Sequence, residues 1–336
     1  MNILITSAGR RNELISYFKR NSDIKKVIVC DMNSYATAFE ESDKGYIAPS
    51  ITESKYESFL YEICKKESIN IIFTLNDLEL PLLSRMKKKL STIDTIALVS
   101  DPGIIDICWD KSLTTQFLED SGFNIPTTYS LNEMDGKFDS FPVIIKPRFG
   151  TASIGIEVAS SYEEFNLLYA YAKYSLNKTP IKEIEGGSDL LIQEKIEGVE
   201  YAVDIINDLN GNYQGCVIKK KIGIRGGDAD CVISVFDEKI EKWCKLFSKK
   251  LKHIGNVDCD LICRDNEVYC VDINPRFGGA YPFSQLSGID LPEMIVSWIN
   301  KTPTMKAFSY SAGVVTARTE KYLVLSKTNK LNKLDL

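Results

Sequence analysis

Apolar runs alternate with amphipathic stretches over the first hundred residues, and this pattern predicts strands and helices in turn. Four apolar runs predict strands, at positions 3–5, 27–29, 69–73 and 96–99. Helical periodicity at 12–20 and 56–66 lies between them. Because this alternation builds a parallel sheet covered on both faces, we expect a small α/β domain here.

The pattern changes after Asp101-Pro102-Gly103, a sequence that interrupts regular structure. A strand and a loop rich in small residues follow from Val143. The periodicity then predicts helices near 111–119, 162–174 and 291–300, with a series of strands between 190 and 274. This mixture predicts an α+β arrangement for the C-terminal part of the chain.

The composition is that of a globular protein. The chain has 336 residues, 44% of them hydrophobic and 26% charged, which suggests about two domains. The net charge of −5 comes from interspersed acids and bases and predicts no nucleic-acid partner. No apolar run approaches the ~18 residues of a membrane span, and the N-terminus has the pattern of a strand, not of a signal peptide. We therefore expect a cytoplasmic protein without a membrane partner.

Cysteine and histidine usage narrows the chemistry. The nine cysteines form no C-x-x-C pair, which argues against a disulfide framework or a zinc ribbon. Cys259 and Cys263 lie in an alternating strand pattern and are interpreted as small buried apolar residues. The single histidine, His253, excludes a multi-histidine zinc site and is interpreted as a residue at the end of a helix, not as a catalyst.

The first strand-to-helix turn, residues 6–11, bears on dinucleotide binding. It contains one glycine, Gly9, whereas close approach of a pyrophosphate calls for three. Asp31 does follow the second strand, where a ribose-binding acid would lie. We interpret this segment as a tight turn beneath a polar crevice.

An apolar strand delivers Lys146 to the start of a loop rich in Gly, Ser and Thr, residues 149–155. The N–H groups of such a loop can hold phosphate oxygens, and the lysine supplies a point charge. The alternative is a surface hairpin with a solvated lysine.

The strand at 190–193 leads into acidic residues and a glycine turn at Gly198. This arrangement suits adenosine: Glu194 can contact the adenine amino group, and Glu200 the ribose hydroxyls. The backbone of residues 195–196 would face the edge of the ring. The alternative is a glutamate solvated at the end of a strand.

Two alternating strands around Arg264 predict a β-hairpin with paired acids. We expect a three-residue loop at 265–267, which pairs Arg264 with Val268. That register sets Asp260 opposite Asp272 and sets Asp258 opposite Asn274. The apolar residues Val257, Cys259, Leu261, Val271 and Ile273 then share the other face.

Carboxylates directly opposite one another are unfavourable by up to ~1 kcal/mol unless something neutralises them. Mg²⁺ would do so, because it takes oxygen ligands from one or two carboxylates together with substrate phosphates. The alternative is a solvated polar face of the hairpin.

The segment after the hairpin carries Arg276 and the pair Gly278-Gly279. An arginine here can stabilise charge that develops in phosphoryl or acyl transfer, and the glycines allow close approach of backbone to a ligand. A further basic stretch, residues 219–221 with Arg225, is either a solvated edge strand or a contact to phosphate or substrate.

At these residues the chain resembles the ATP-grasp superfamily, and within it the synthetase halves of the carbamoyl-phosphate synthase large subunit. The run 271–276, the lysine loop and the Gln193-Glu194 segment carry the resemblance, which covers about residues 3–300. It implies a Rossmann-like preceding domain followed by a two-subdomain ATP-grasp fold. The expected divisions are 1–105 for the preceding domain, 106–190 for the lid subdomain, 191–310 for the large subdomain with the metal site and 311–336 for a C-terminal extension.

The resemblance also implies roles for individual residues. Phosphates would be held by Lys111 and Lys146 beneath a closing loop with Ser153 and Gly155, adenosine by Glu194, Lys195, Ile196 and Glu200, and Mg²⁺ by Asp260, Asp272 and Asn274, while Arg276 would face the reacting centre. From the basic stretch we add Lys220 and Arg225 as candidate catalytic residues. The chain departs from the commoner pattern at positions 260 and 272, where glutamate is frequent. It also lacks a second synthetase half, so carbamoyl phosphate synthesis is not expected.

We therefore expect an ATP-dependent ligase that joins a small-molecule carboxylate to an amine through an acyl phosphate, with ATP and Mg²⁺ (or Mn²⁺) as cofactors. Alternatives are a phosphoryl transferase on the same fold and a nucleotide-binding module without turnover. The substrates would lie near the residues Gly9, Arg10, Arg11, Asn76, Asp77, Glu79, Gly278 and Gly279. Residues 76–79 could instead cap the next helix. A homodimer is the expected assembly.

Overall fold

A computed structural model describes residues 1–150, 154–183, 187, 189–303, 308–325 and 331–332. Its strands form three sheets, two of six strands and one of four. The predicted fold class, a parallel α/β domain followed by an α+β part, is confirmed.

The first sheet has the order β16-β3-β2-β1-β4-β5, and its strands run parallel. The strands are β1 (Asn2–Thr6), β2 (Lys26–Asp31), β3 (Lys44–Ile47), β4 (Ile71–Thr74), β5 (Ile96–Ala97) and β16 (Leu331–Asn332). The helices around it are α1 (Asn12–Lys19), α2 (Ala38–Glu41), α3 (Tyr56–Lys66), α4 (Leu80–Ser91) and α5 (Pro102–Trp109). Ile3, Leu4 and Ile5 are all fully buried, because helices cover both faces of the sheet.

Three elements of this region depart from the prediction. The short strand β3 was not expected, because its sequence Lys-Gly-Tyr-Ile carries little hydrophobic pattern. Gly45 within it lies so close to the Phe39 ring that an added Cβ would stand 2.4 Å from a ring carbon. The predicted strand at 96–99 is only two residues long, and Pro102 opens helix α5 instead of merely interrupting the chain.

Helix α6 (Lys111–Asp120) leads from the first domain into a four-stranded sheet of order β6-β9-β7-β8. Its elements are β6 (Thr128–Tyr129), β7 (Val143–Pro147), β8 (Glu157–Ala159), α7 (Tyr162–Leu176) and β9 (Leu190–Glu194). Val143, Ile145, Phe165 and Ile192 form a separate core between the sheet and α7. This small unit covers most of residues 106–190, the predicted lid.

The third sheet is antiparallel and has the order β14-β13-β10-β11-β12-β15. Its strands are β10 (Val199–Asn207), β11 (Tyr213–Arg225), β12 (Asp228–Val235), β13 (Gly255–Arg264), β14 (Glu267–Asn274) and β15 (Val315–Ala317). The helices are α8 (Glu238–Leu251), α9 (Tyr281–Ser287) and α10 (Leu291–Asn300). Ile205 packs with α8, whereas its neighbour Ile206 belongs to a core shared with α9, α10 and the first domain. The side-chain alternation of β10 thus joins the two halves of the molecule.

The β13–β14 hairpin pairs the same acids as predicted, but its loop and its register differ from the prediction. Its loop has two residues, Asp265 and Asn266, both at positive φ, so Arg264 pairs with Glu267 and not with Val268. A register shift next to Asp260 then adds one residue to β14. The two differences cancel, and Asp260 still faces Asp272. Cys270 takes the core position that the sequence assigned to Val271.

Candidate functional site

Asp272, on strand β14 of the hairpin, lies beside a lysine from another element. Lys111, the first residue of α6, places its Nζ 3.0 Å from Asp272 Oδ1. Asn274 donates its Nδ2 to Asp272 Oδ2 at 2.9 Å, which leaves the amide oxygen of Asn274 available as a ligand. The capping acid Asp110, which accepts from the Ser112 backbone N–H at 2.9 Å, fixes the start of α6 and hence the position of Lys111.

Lys146, at the end of β7, completes this cluster. Its Nζ donates to the Val271 carbonyl at 3.1 Å. Burial and the neighbouring Lys111 charge lower the pKa of Lys146 to about 8. Burial alone would raise the pKa of Asp272, but the two lysines outweigh it and hold that pKa at about 2. Asp272 is therefore an anion between two cations, an arrangement suited to phosphate oxygens and a metal.

Asp260 has its own cation, Lys221 of β11. Lys221 Nζ lies 2.7 Å from Asp260 Oδ1 and 3.4 Å from Glu200 Oε2, with only 5% of its side chain exposed. It thus bridges the predicted ribose acid and the predicted metal ligand. Burial raises the pKa of Asp260 although Lys221 opposes the shift. Sequence reasoning did not single out Lys221 from its neighbours.

Arg276 joins the hairpin to the first domain. Its Nε and Nη2 each donate to one oxygen of Asp77 at 2.8 Å, and its Nη1 lies 3.6 Å from Asp258. Burial opposes the charge, yet Asp77 and Asp258 raise the pKa of Arg276. Burial and the like charges Asp204 and Asp260 raise the pKa of Asp258 to about 7. The arginine is thus held by an acid from each side of the cleft.

Arg11 of the first domain contacts Gly278, which follows the hairpin. Arg11 Nη2 donates to the Gly278 carbonyl at 2.5 Å, and burial beside Arg276 lowers the pKa of Arg11 to about 10. A Cβ on Gly278 would stand 2.1 Å from Asp258 Cγ, so the lack of a side chain here makes room for Asp258. Gly279 is exposed.

The remaining predicted substrate residues serve the local fold of the first domain. Gly9 donates its N–H to Asp31 Oδ2 at 2.8 Å, so Asp31 organises the turn. Asn76 accepts from the Leu78 N–H at 3.0 Å, which is the capping alternative. Glu79 is fully buried and accepts from Ser7 and Thr74 at 2.9 and 2.6 Å. Its carboxylate therefore lies beneath the cleft surface, and burial raises its pKa. Arg10 is exposed.

The predicted adenosine segment is tied into the sheets. Glu194 Oε1 pairs with Arg264 Nη1 at 2.5 Å, and its Oε2 accepts from Thr127 at 3.1 Å. Lys195 donates its N–H to the Pro142 carbonyl at 3.2 Å, and Ile196 is buried. Glu194 thus has a cross-sheet partner that the sequence did not suggest.

The structure does not bring Lys220 and Arg225 to this cluster. Side chains alternate along β11, so Lys219 and Lys221 point to the acidic face and Lys220 is exposed on the other. Arg225 is 59% exposed and pairs with Asp230 at 2.9 Å. Of the predicted closing loop, Gly155 has a positive φ of 76°, and Ser153 lies outside the described residues.

A buried polar network behind the cleft was missed from the sequence. Lys219 is fully buried and bonds Asp204, the Ser284 hydroxyl at 2.8 Å and the Ala280 carbonyl at 3.3 Å. Asn256 donates to Asp204 Oδ1 at 2.6 Å and to the Arg276 carbonyl at 3.3 Å. The network fixes the backbone of Arg276. Its signal in the sequence is the period-two spacing of Lys219 and Lys221.

Across the described ranges there is no cluster of three or more His, Cys, Asp or Glu side chains arranged to hold a metal. The donor set at the hairpin is two carboxylates and one amide oxygen instead. No helix in the part of the chain that the structure describes is long and apolar enough to cross a membrane.

Comparison with known proteins identifies two regions. Residues 3–98 match the family described as PylC-like, N-terminal domain, and residues 108–280 match the ATP-grasp domain. The carbamoyl phosphate synthase large chain of Pseudothermotoga lettingae is 27% identical over 291 residues, 82% of this chain and 25% of that protein. The large chain of Helicobacter pylori strain J99 is 23% identical over 295 residues, 83% and 26% of the two chains. The chain thus spans about a quarter of the length of these relatives.

Solved structures share the fold. The L-amino acid ligase from Bacillus licheniformis has a TM-score of 0.73 at 16% identity, over 94% of this chain and 79% of that chain. A biotin carboxylase complex from Campylobacter jejuni has a TM-score of 0.71 at 16% identity, over 94% and 74%. Because the ATP-grasp match takes in more than half of the residues, this chain belongs to the ATP-grasp family.

Proposed function

We propose that this chain is an ATP-dependent ligase that joins a carboxylate to an amine through an acyl phosphate and releases ADP and phosphate. ATP-grasp family members are ATP-dependent ligases that form C–N bonds. The observation that carries the proposal is the meeting of Lys111, Asp272, Asp260 and Arg276 around one hairpin edge. Residues 1–105 would form the preceding domain, 106–190 the lid and 191–310 the large subdomain, with 311–336 as an extension.

The donor set fits Mg²⁺. Asp260 and Asp272 are cross-strand partners, and the orientation of the Asn274 amide directs its oxygen away from Asp272. One or two carboxylates with an amide oxygen leave room for the phosphate and water ligands that Mg²⁺ retains. When bound, the ion would neutralise charge on the phosphates of ATP. Lys111 and Lys221, which now pair with these acids, would share them with it.

Nucleotide binding is assigned to the cleft between the small and large sheets. Lys111 and Lys146 would contact phosphate oxygens, with the loop at Ser153 and Gly155 closing over them. Adenosine would lie along Glu194, Lys195, Ile196 and Glu200. A cavity of about 20 Å³, lined by Lys111, Lys146, Gln193 and Asp272, supports this assignment. Nucleotide entry therefore requires the lid side chains to move.

The residues of the chain act by position and charge. Lys111 and Lys146 orient the γ-phosphate for in-line attack by the substrate carboxylate. Arg276, fixed by Asp77, neutralises charge on the acyl phosphate. The amine nitrogen then forms the C–N bond while the C–O bond to phosphate breaks, and phosphate leaves with that electron pair. None of these roles requires a histidine, and His253 is buried away from the cleft against the Ile205 carbonyl at 3.0 Å.

The test measures ADP release with panels of carboxylates and amines, followed by the mass of the product. Asp272→Asn is expected to lower turnover by about 10²-fold or more, because the charge between the lysines is lost. Asp265→Asn is the matched control, since this exposed residue of the same hairpin sits in the two-residue loop and should leave turnover unchanged.

Three results would contradict the proposal. Full activity of Asp272→Asn would remove the metal assignment. A stable phosphorylated product without an amide would make the chain a phosphoryl transferase, and nucleotide binding without any turnover would make it a binding module. Thermal unfolding of both variants shows whether a loss of turnover reflects loss of fold.

A further inference from the structure

A cavity of about 820 Å³ opens at the carboxyl ends of the first sheet, outside the hairpin cleft. Ser7, Asp31 and Asn76, at or just beyond the carboxyl ends of β1, β2 and β4, line it. Phe149 and Pro180 of the lid subdomain line it as well. Its size falls in the range of about 300–1,000 Å³ that is typical of small-molecule sites. The carboxyl ends of parallel strands are also where α/β sheets bind ligands.

The cavity adjoins the reacting centre at two points. Asn76 lines it, and the next residue, Asp77, holds Arg276. Asp110 also lines it, and the next residue, Lys111, pairs with Asp272. Two residues of the cavity wall are thus each one residue away from a side chain of the hairpin edge.

Most of the wall is apolar. Met32, Ile51, Leu82, Trp109 and Leu113 contribute to it. Met32 and Leu113 are 65% and 44% exposed, which is unusual for large apolar side chains that face a concavity. An occupant with an apolar body would bury this surface.

Two opposite charges face the cavity with no ion-pair partner among the described residues: Arg85 of α4 and Asp106 of α5. The other acids of the wall, Asp31, Asp110 and Glu183, have partners, and Glu183 Oε1 lies 3.7 Å from Lys182 Nζ. Asp110 is held by the Arg148 guanidinium at 2.9 and 2.7 Å, and Asp31 accepts backbone N–H groups. Asp106 lies about one helical turn before Asp110, the residue that precedes Lys111.

We propose that this cavity binds the amine substrate of the ligase, and that this substrate is an α-amino acid with a bulky apolar side chain. Asp106 binds its ammonium and accepts the proton that the nitrogen must lose before it attacks the acyl phosphate, Arg85 binds its carboxylate, which stays unreacted, and the apolar wall covers its side chain. One free cation and one free anion match a zwitterion better than they match a simple amine. That this molecule is a substrate rests on the proposed function, whereas its binding in the cavity does not.

The test is calorimetric titration of the full chain with three probes that share a phenyl ring. L-Phenylalanine carries both charges, 2-phenylethylamine only the ammonium and 3-phenylpropionate only the carboxylate. L-Phenylalanine should bind at least about tenfold more tightly than either, because each lost ionic contact is worth about that factor.

Variants assign the two charges. Arg85→Ala should bring L-phenylalanine to the affinity of 2-phenylethylamine, and Asp106→Asn to that of 3-phenylpropionate. Lys88→Ala, an exposed change on the same helix as Arg85, should alter neither. Equal affinity for all three probes, or unchanged L-phenylalanine binding in both cavity variants, overturns the proposal.

The outcome is separable from that of the proposed function. Asp272→Asn should still bind L-phenylalanine while it loses ATP turnover. Intact binding in a chain that never forms an amide would refute the ligase alone. Amide formation without the zwitterion preference would refute the cavity assignment alone.

Discussion

The contact between Arg276 and Asp77 links the first domain to the metal hairpin, and its removal tests the whole site. Both Asp77 oxygens accept from the guanidinium at 2.8 Å. Only 14% of the Arg276 side chain and 5% of the Asp77 side chain are exposed. Asp77→Asn keeps the shape of the side chain but removes its charge and one of its two acceptors.

The magnitude follows from this burial. Loss of one partner from a buried ion pair costs about 3–5 kcal/mol when the other charge is left uncompensated. Asp258 remains 3.6 Å from Arg276, and the asparagine keeps one acceptor, so we expect a loss of about 2–3 kcal/mol in the free energy of unfolding. Turnover should fall by about 10²-fold, because a displacement of ~1 Å at the reacting centre costs that much.

Urea unfolding followed by tryptophan fluorescence measures the first quantity, and ADP release measures the second. Asp189→Asn is the matched control, since Asp189 pairs with Arg148 at 3.4 Å while 60% of its side chain is exposed. Its removal should cost less than about 1 kcal/mol. If the two variants were equally stable and equally active, Arg276 would not depend on Asp77 and the link between the domains would be refuted.

Three further outcomes follow from the structure. Gly278→Ala should lower the melting temperature and abolish turnover, because its Cβ would lie 2.1 Å from Asp258 Cγ. Gly279→Ala should melt like the wild type, because the atom nearest to its Cβ would be Arg318 Nη2 at 3.5 Å. Burial lowers the pKa of His253 to about 4, so the unfolded chain binds a proton at higher pH than the folded chain does. The free energy of unfolding should therefore fall by up to about 3 kcal/mol between pH 6.5 and 4. If urea titrations of His253→Gln showed the same fall with pH as the wild type, His253 would not be its cause. A thiol reagent should modify two cysteines quickly in the native protein, the half-buried Cys231 and Cys263, and rapid reaction of more than these would contradict the burial of the other seven.

Periodicity in the sequence was enough to predict the elements that bury a continuous apolar face. The helix at 56–66 and the strands β1 and β2 lie where the pattern sets them. Short elements escaped, because β3 has four residues with one glycine and one lysine. Such a strand is specified by its neighbours in the sheet and by the Phe39 ring over Gly45, which sequence spacing does not show.

The partners of charged side chains were harder to predict than the elements that carry them. Glu79 lies in the turn after β4 and Glu194 ends β9, and both were expected to face a ligand. Glu79 instead lies beneath the crevice under Ser7, and Glu194 meets Arg264 from a different sheet. Both contacts join elements that are distant in sequence, so only the assembled fold decides them.

The same limit applies to the basic stretch of β11. Because side chains alternate along a strand, Lys219 and Lys221 share one face of β11 and Lys220 lies on the other. This alternation does not show which of the two faces meets the acids. Pairing with β10 decides this, because it sets Ala202 between Lys219 and Asp260 in the sheet. The inner pair is therefore Lys219 and Lys221.

The opposed carboxylates of the hairpin do not depend on a metal for shielding. Asp260 faces Asp272 as the sequence predicted, and an unshielded pair of like charges would be unfavourable. The chain itself supplies the shielding, since Lys221 reaches Asp260 from β11 and Lys111 reaches Asp272 from α6. Both lysines come from elements outside the hairpin. The two acids therefore also hold the hairpin to β11 and to α6. Affinity for a divalent ion is then set by competition with these two lysines, and not by repulsion between the carboxylates alone.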